Sequence, residues 1–171
     1  MKIQVLGSCG YGRTTLSAFD KALCNIGIHD YNLITLSSII PPGSQVDICD
    51  VYRPADADCG SRLYVIMAEQ HSVTPNTIVG AALGWYQAPD GRGMFVEHVG
   101  TAQEANGLLF LEDELAHQVR LSLEDMCKSR SIVYDERQRR LMVRTGVVQP
   151  GYACCALVVA IYKTEEWHEQ V

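Results

Sequence analysis

The stretch "NLITLSSIIPPG", residues 32–43, places two adjacent serines where an apolar strand meets a proline turn. The apolar residues before the serines predict a buried strand over 32–37, and Pro41-Pro42-Gly43 predicts a rigid turn after it. Prolines fix their own φ angle and restrict the residue before them. Such a support can hold a serine hydroxyl against the carbonyl carbon of the preceding residue, which makes Ser37 and Ser38 candidates for self-cleavage. A strand end whose serines bond the backbone is the simpler interpretation.

Length and composition predict one globular domain, residues 1–171. The chain is 47% hydrophobic and 20% charged, as is ordinary for a folded protein, and its net charge of -6 favours neither nucleic acid nor an anionic membrane as a partner. The first ten residues lack a signal-peptide pattern, and no apolar stretch approaches the ~20 residues of a membrane helix. Seven scattered cysteines without a CxxC pair indicate reduced thiols and a cytoplasmic location. Neither they nor the five histidines support a metal site.

Periodicity predicts about six strands and two longer helices. The first helix spans 14–26, with Leu16, Phe19, Leu23 and Ile26 on its apolar face and Gly27 at its end. The second helix follows a Thr101–Glu104 capping box and runs to about Ser129, with Leu108, Leu111 and Leu115 on one face. The predicted strands are 2–6, 32–37, 63–68, 77–86, 94–99 and the apolar "YACCALVVAIY", 152–162. This order predicts an α+β sandwich of mostly antiparallel sheets with flanking helices, of the αββα type.

The sequence offers little support for a nucleotide-binding loop or for a serine hydrolase site. The turn "GSCGYG", residues 7–12, follows a strand and precedes a helix, but its glycine spacing is not GxGxxG and it lacks the Lys-Ser/Thr of a phosphate-binding loop. A tight turn between strand and helix is the preferred interpretation. There is also no Gly-x-Ser-x-Gly sequence, and neither Ser37 nor Ser38 has a nearby histidine that could serve as a base.

Three segments in order carry a resemblance to a known family. They are "AFDKALCNIGI" (18–28), "NLITLSSIIPPG" (32–43) and "GMFVEHVG" (93–100), and with the last strand and its "YK" they cover most of the chain. In sequence and spacing they resemble the pyruvoyl-dependent arginine decarboxylases. The resemblance implies a precursor that cuts itself between Ser37 and Ser38, which gives a β chain, 1–37, and an α chain, 38–171. It implies a pyruvoyl group derived from Ser38 as the cofactor, with no metal and no pyridoxal phosphate.

A decarboxylase of this kind needs an electron sink and a proton donor. The pyruvoyl carbonyl supplies the sink through a Schiff base with the substrate amine. Glu97 is the candidate proton donor, because in strand 94–99 it shares a face with Phe95 and Val99, where burial would favour the protonated carboxyl. A paired structural glutamate would fit that position as well.

The resemblance assigns roles to three further residues. Asn32, six residues before Ser38 and of the same strand parity, is expected to assist self-cleavage or to hold the intermediate. Asp20, one helical turn after Leu16, is expected to pair with the guanidinium of the substrate. Ser37, once its carboxylate is free, is expected to line the pocket. From the residues alone, Asn32 could equally begin a strand, and Asp20 could be a solvated helix residue.

The resemblance implies decarboxylation of L-arginine to agmatine in polyamine biosynthesis, by trimers or hexamers with active sites between neighbouring subunits. Two alternatives stay open: a pyruvoyl enzyme for another amino acid such as histidine, or an unprocessed relative without activity that serves as an assembly partner. Segment 44–62, with its aspartates and with Cys49 and Cys59, is not aligned with the family pattern, so its role and its effect on specificity stay open.

Overall fold

The computed structural model describes residues 1–53 and 59–167. In chain order its elements are β1 Lys2–Gly12, α1 Thr15–Ile26, β2 Asn32–Thr35, β3 Ile39–Ile40, β4 Gln45–Ile48, β5 Arg62–Ser72, β6 Thr77–Gln87, β7 Gly93–Gln103, α2 Leu108–Ser129, β8 Arg140–Val147 and β9 Ala153–Glu165, with 3-10 turns at Glu104–Asn106 and Glu136–Gln138. Within the described residues, no helix is both long and apolar enough to cross a membrane.

Two sheets face each other. The five-stranded sheet has the order β2-β5-β9-β1-β4, and the four-stranded sheet has the order β3-β7-β6-β8. Among the strands of the described residues, β1 pairs with β4 and β2 with β5 in parallel, and the other pairs are antiparallel. A buried core fills the space between the sheets, α1 covers the outer face of the first sheet, and α2 covers the outer face of the second. The predicted αββα sandwich is confirmed.

The glycine-rich segment 7–12 lies within β1 and is not the predicted turn. A Cβ atom at Gly10 would collide with the backbone of Ala18 and Ala22 in α1, and one at Gly12 would collide with Ser17. These glycines therefore let the helix approach the sheet closely, which a bulkier side chain would prevent.

Helix α1 begins and ends as expected, but its buried face is rotated. Thr14 and Ser17 form a reciprocal capping box, and Gly27 adopts the left-handed conformation at the end of the helix. The buried residues are Ala18, Ala22, Leu23 and Ile26. Leu16, predicted on the buried face, is 73% exposed, because the small residues that fit against the β1 glycines take its place.

The start of α2 differs from the prediction. Thr101 lies in β7, and Gly107 precedes the helix without a side-chain cap, so the expected capping box is wrong. Leu111 and Leu115 are buried as expected, whereas Leu108 is partly exposed.

Three short or polar strands were not predicted, because they lack a clear apolar periodicity. These are β3, β4 and β8, so the described residues form nine strands where six were expected. The β4 strand falls in segment 44–62, beside β1. Asp56 and Asp58 of that segment lie outside the described residues.

Candidate active site

The serine pair lies where the chain passes from one sheet to the other. β2 runs parallel to β5, and this pairing ends where the Leu36 amide donates to Val65 O at 2.8 Å. After Ser37 and Ser38 the chain enters β3, which pairs with β7 through Ile39 and Met94. Ser37 and Ser38 are therefore the residues that bridge the two sheets at one side of the sandwich.

The backbone at Ser38 forms a three-residue turn. The Ile39 amide donates to Ser37 O at 2.8 Å, and the Phe95 amide of β7 donates to Ser38 O at 2.8 Å. A bond from residue i+2 back to residue i defines a γ-turn. Because Ser38 does not have a positive φ, this is the inverse form, which is common at strand ends. The carbonyl of Ser37 thus already accepts a hydrogen bond at the bond expected to break.

The side chain of Ser38 meets Glu97. Ser38 Oγ donates to Glu97 Oε1 at 2.7 Å, a distance typical of a hydroxyl bound to a carboxylate. Phe95, two residues earlier on β7, is fully buried between the sheets, but Glu97 is exposed and Val99 is 42% exposed. The expected burial of Glu97 is therefore wrong in the single chain, because β3 covers only the first residues of β7.

A tyrosine that sequence reasoning had not singled out also reaches this segment. Tyr162 of β9 lies in the core between the sheets and donates its hydroxyl to Ile39 O at 3.0 Å. Burial, and then the nearby charge of Glu97, raise the pKa of Tyr162, so its hydroxyl stays protonated as a donor. A tyrosine in an otherwise apolar strand was the available signal, since a buried phenol needs a hydrogen-bond partner.

Asn32 lies at the opposite end of β2. Its side-chain amide donates to Gly60 O, and its backbone amide donates to Ser61 O. The strand Asn32–Thr35 separates it from the serines, at a rise of about 3.3 Å per residue. Within one chain the structure does not bring Asn32 together with Ser38.

Asp20 lies on the exposed side of α1. Among the described residues, the only hydrogen bond of its side chain is a weak one from Cys24 Sγ at 3.8 Å. Leu16, one turn earlier, lines a cleft of about 200 Å³ with Thr15, Phe19, Glu69 and His71. Helix α1 packs on the outer face of the five-stranded sheet, whereas Glu97 lies on β7 of the other sheet, so a whole sheet lies between the layer of Asp20 and the layer of Glu97. No hydrogen bond or ion pair of the described residues joins Asp20 to Ser38 or Glu97.

Comparison with known proteins identifies the family. Residues 2–167 match the model of the pyruvoyl-dependent arginine decarboxylase family. The chain belongs to this family. Family membership makes the protein a pyruvoyl-dependent decarboxylase, a carboxy-lyase, and implies a pyruvoyl prosthetic group.

Three relatives of this family align with the chain over most of their length. A pyruvoyl-dependent arginine decarboxylase from Halobacterium salinarum is 27% identical over 161 residues, 94% of this chain and 93% of the relative. One from Picrophilus torridus is 26% identical over 146 residues, 81% and 76% of the two chains. One from Pyrococcus abyssi is 32% identical over 111 residues, 63% and 68%.

Proposed function

We propose that this protein converts L-arginine to agmatine and CO₂ after it has cut its own chain between Ser37 and Ser38. The bond from Ser38 Oγ to Glu97 carries the proposal, because it joins the expected pyruvoyl precursor to the expected proton donor at 2.7 Å. The names of the relatives, which are arginine decarboxylases, support arginine as the substrate.

Self-cleavage begins with attack of Ser38 Oγ on the carbonyl carbon of Ser37. The C–N bond breaks, the nitrogen of Ser38 takes a proton, and an ester joins the two residues. The hydroxyl hydrogen points to Glu97, which leaves the oxygen lone pairs free for this attack. The Ile39 amide donates to the Ser37 oxygen and so stabilises the negative charge that develops there.

Elimination then separates the chains. The Cα proton of Ser38 is lost, its Cβ–O bond breaks, and Ser37 leaves with a carboxylate as the end of the β chain, 1–37. The dehydroalanine left at position 38 reacts with water, releases ammonia and becomes the pyruvoyl group of the α chain, 38–171. No metal and no pyridoxal phosphate takes part in this scheme.

The pyruvoyl carbonyl supplies the electron sink that decarboxylation needs. Residues of this chain bind the substrate and move its proton. Glu97 delivers a proton to the substrate carbon that has lost CO₂. Asp20 binds the guanidinium, the carboxylate of Ser37 lines the pocket, and Asn32 assists self-cleavage or holds the intermediate.

The active enzyme is proposed to be a homotrimer, or a hexamer of two trimers. The separation of Asp20 from Ser38 and Glu97 within one chain supports a site completed by a neighbouring subunit. We also propose a cytoplasmic location, which the odd number of scattered cysteines indicates, and a role in polyamine biosynthesis, which agmatine formation implies.

The intact mass of the purified protein tests self-cleavage. The wild type should give two chains that meet at residues 37 and 38, with the α chain blocked to N-terminal sequencing. Ser38→Ala should stay as one chain because it lacks the attacking oxygen. Ser37→Ala is the matched control and should still split, since its hydroxyl takes no part. A Ser38→Ala chain that split at this bond would contradict the mechanism.

The substrate is tested with the cleaved enzyme. Release of CO₂ should be fastest from arginine and much slower from histidine or ornithine. Faster release from histidine would support the alternative decarboxylase, and a chain that never splits would indicate the assembly partner without activity.

A further inference from the structure

Three consecutive carbonyl groups at the serine pair each accept a hydrogen bond. Ser37 O and Ser38 O accept from the backbone amides of Ile39 and Phe95, as described above. The third, Ile39 O, accepts from the side chain of Tyr162 at 3.0 Å. The peptide group of Ile39 is therefore held by a side chain of the opposite sheet. Substitution of that side chain can remove this hydrogen bond without altering the backbone.

Tyr162 stands at an irregularity of β9. In the ladder between β5 and β9, Tyr64 pairs with Lys163 and Val65 pairs with Ile161, so Tyr162 is the additional residue of a β-bulge. Bulges occur next to active sites, where they redirect a side chain. Here the bulged residue crosses the space between the sheets, packs its ring near Phe95 with 6.2 Å between ring centroids, and meets Ile39.

We propose that Tyr162 is a positioning residue for self-cleavage, an inference that rests on the proposed function. Its hydroxyl fixes the peptide group between Ile39 and Ile40. This holds residue 39 in the turn, and the Ile39 amide stays directed at the Ser37 oxygen. Without this bond the segment that follows Ser38 is held by the pairing of β3 with β7, which is two residues long, and by the burial of Ile40.

The position of the hydroxyl suits a donor that remains in place throughout the reaction. Tyr162 is buried, and it lies near Glu97, whose charge opposes ionisation of the phenol. A protonated hydroxyl donates to a carbonyl at neutral and mildly alkaline pH alike. Tyr162 therefore acts on the acyl shift through the geometry of the backbone and does not itself transfer a proton.

Tyr162→Phe tests the inference, with Tyr86→Phe as its matched control. Tyr86 is also buried and also donates to a backbone carbonyl, Val133 O at 2.9 Å, but it contacts the segment after α2. The splitting of pulse-labelled precursor is followed by mass at a temperature well below the thermal midpoints of both variants. Loss of one neutral hydrogen bond should slow splitting about 2- to 12-fold in Tyr162→Phe. Tyr86→Phe should split at the wild-type rate.

Neutral hydroxylamine identifies the step that is slowed. It cleaves the ester as soon as the ester forms, so splitting in its presence measures the acyl shift alone. Tyr162→Phe should stay slow with hydroxylamine, because the shift itself has lost its geometry. Restoration of the wild-type rate would show that Tyr162 acts on the elimination that follows ester formation, and it would overturn the inference.

The remaining outcomes separate this inference from the proposed function. Equal rates in wild type and Tyr162→Phe, or equal slowing in Tyr86→Phe, would overturn the positioning role while self-cleavage stands. A wild-type precursor that never splits would overturn both, and the wild-type sample alone would reveal it.

Discussion

Glu97 contacts the atoms that change in both stages of the proposed chemistry. In the precursor it accepts the hydroxyl hydrogen of Ser38 at 2.7 Å. In the proposed mechanism, the same carboxyl stands after cleavage beside the pyruvoyl group formed from Ser38. The first stage needs only an oxygen that accepts a hydrogen bond, whereas the second needs an acid that gives up a proton. Two substitutions at this residue can therefore separate the stages.

Glu97→Gln should cut itself but turn over slowly. The glutamine oxygen can still accept the Ser38 hydroxyl, but the amide cannot donate a proton to carbon, so kcat should fall by ~10²–10⁴-fold. Glu97→Ala also removes the acceptor and should slow the splitting itself. Intact mass followed by steady-state kinetics distinguishes the two variants. Normal turnover in cleaved Glu97→Gln would exclude Glu97 as the proton donor.

Asp20→Asn should weaken arginine binding and leave self-cleavage unchanged. A charge-assisted hydrogen bond to the guanidinium is worth about 1.5–3 kcal/mol, so KM for arginine should rise strongly. A substrate without a guanidinium should be affected much less. Asp30→Asn is a suitable control, since Asp30 is an exposed carboxylate beyond the end of α1. An unchanged KM for arginine would show that Asp20 does not bind the substrate and is a solvated helix residue.

Among the elements, those with a long apolar pattern were predictable from the sequence. The positions of helix α1 and of strands β6 and β9 agree with the prediction, and so does the sandwich that they form, although the buried face of α1 is rotated. The glycine-rich part of β1 was read as a turn because local composition does not reveal that a helix packs against it. Strand β3 escaped notice because two residues carry no periodicity and depend on pairing with β7.

Within the candidate site, the choice of residues was more accurate than the prediction of their burial and contacts. It selected Ser38 and Glu97, which the fold brings together although they are 59 positions apart. It expected Glu97 to be buried because it shares a face with Phe95, but burial along a strand also depends on which neighbour covers the edge. Tyr162 was missed because its role depends on a bulge and on a contact across the two sheets, and neither is visible in a linear pattern.

At the scale of the whole molecule, the sandwich has an open side next to the serines. Within the described residues, β2 pairs with β5 only as far as Val65, and β3 pairs with β7 only at Gly93 and Met94. The remainder of both long strands presents its edge on the same side, where Val99 is 42% exposed. Proteins rarely leave long strand edges uncovered, which supports coverage of this side by another subunit.

Light scattering at micromolar concentration should therefore find a trimer or a hexamer.

A stronger test combines two variant chains that each lack one of the proposed site residues. Glu97→Gln and Asp20→Asn should each be poorly active at low arginine concentration. If a site combines Glu97 of one subunit with Asp20 of its neighbour, randomly mixed oligomers should contain about a quarter of sites with both native residues.

Co-expression of the two variants should consequently restore activity that neither shows alone. Mixing the same proteins after separate purification is the control, since assembled oligomers exchange subunits slowly or not at all. Recovery would place the two carboxylates in one site across an interface. Sites built within single chains would give no recovery at any ratio, because every chain would lack one of the two residues, and a fully active monomer would contradict the assembly altogether.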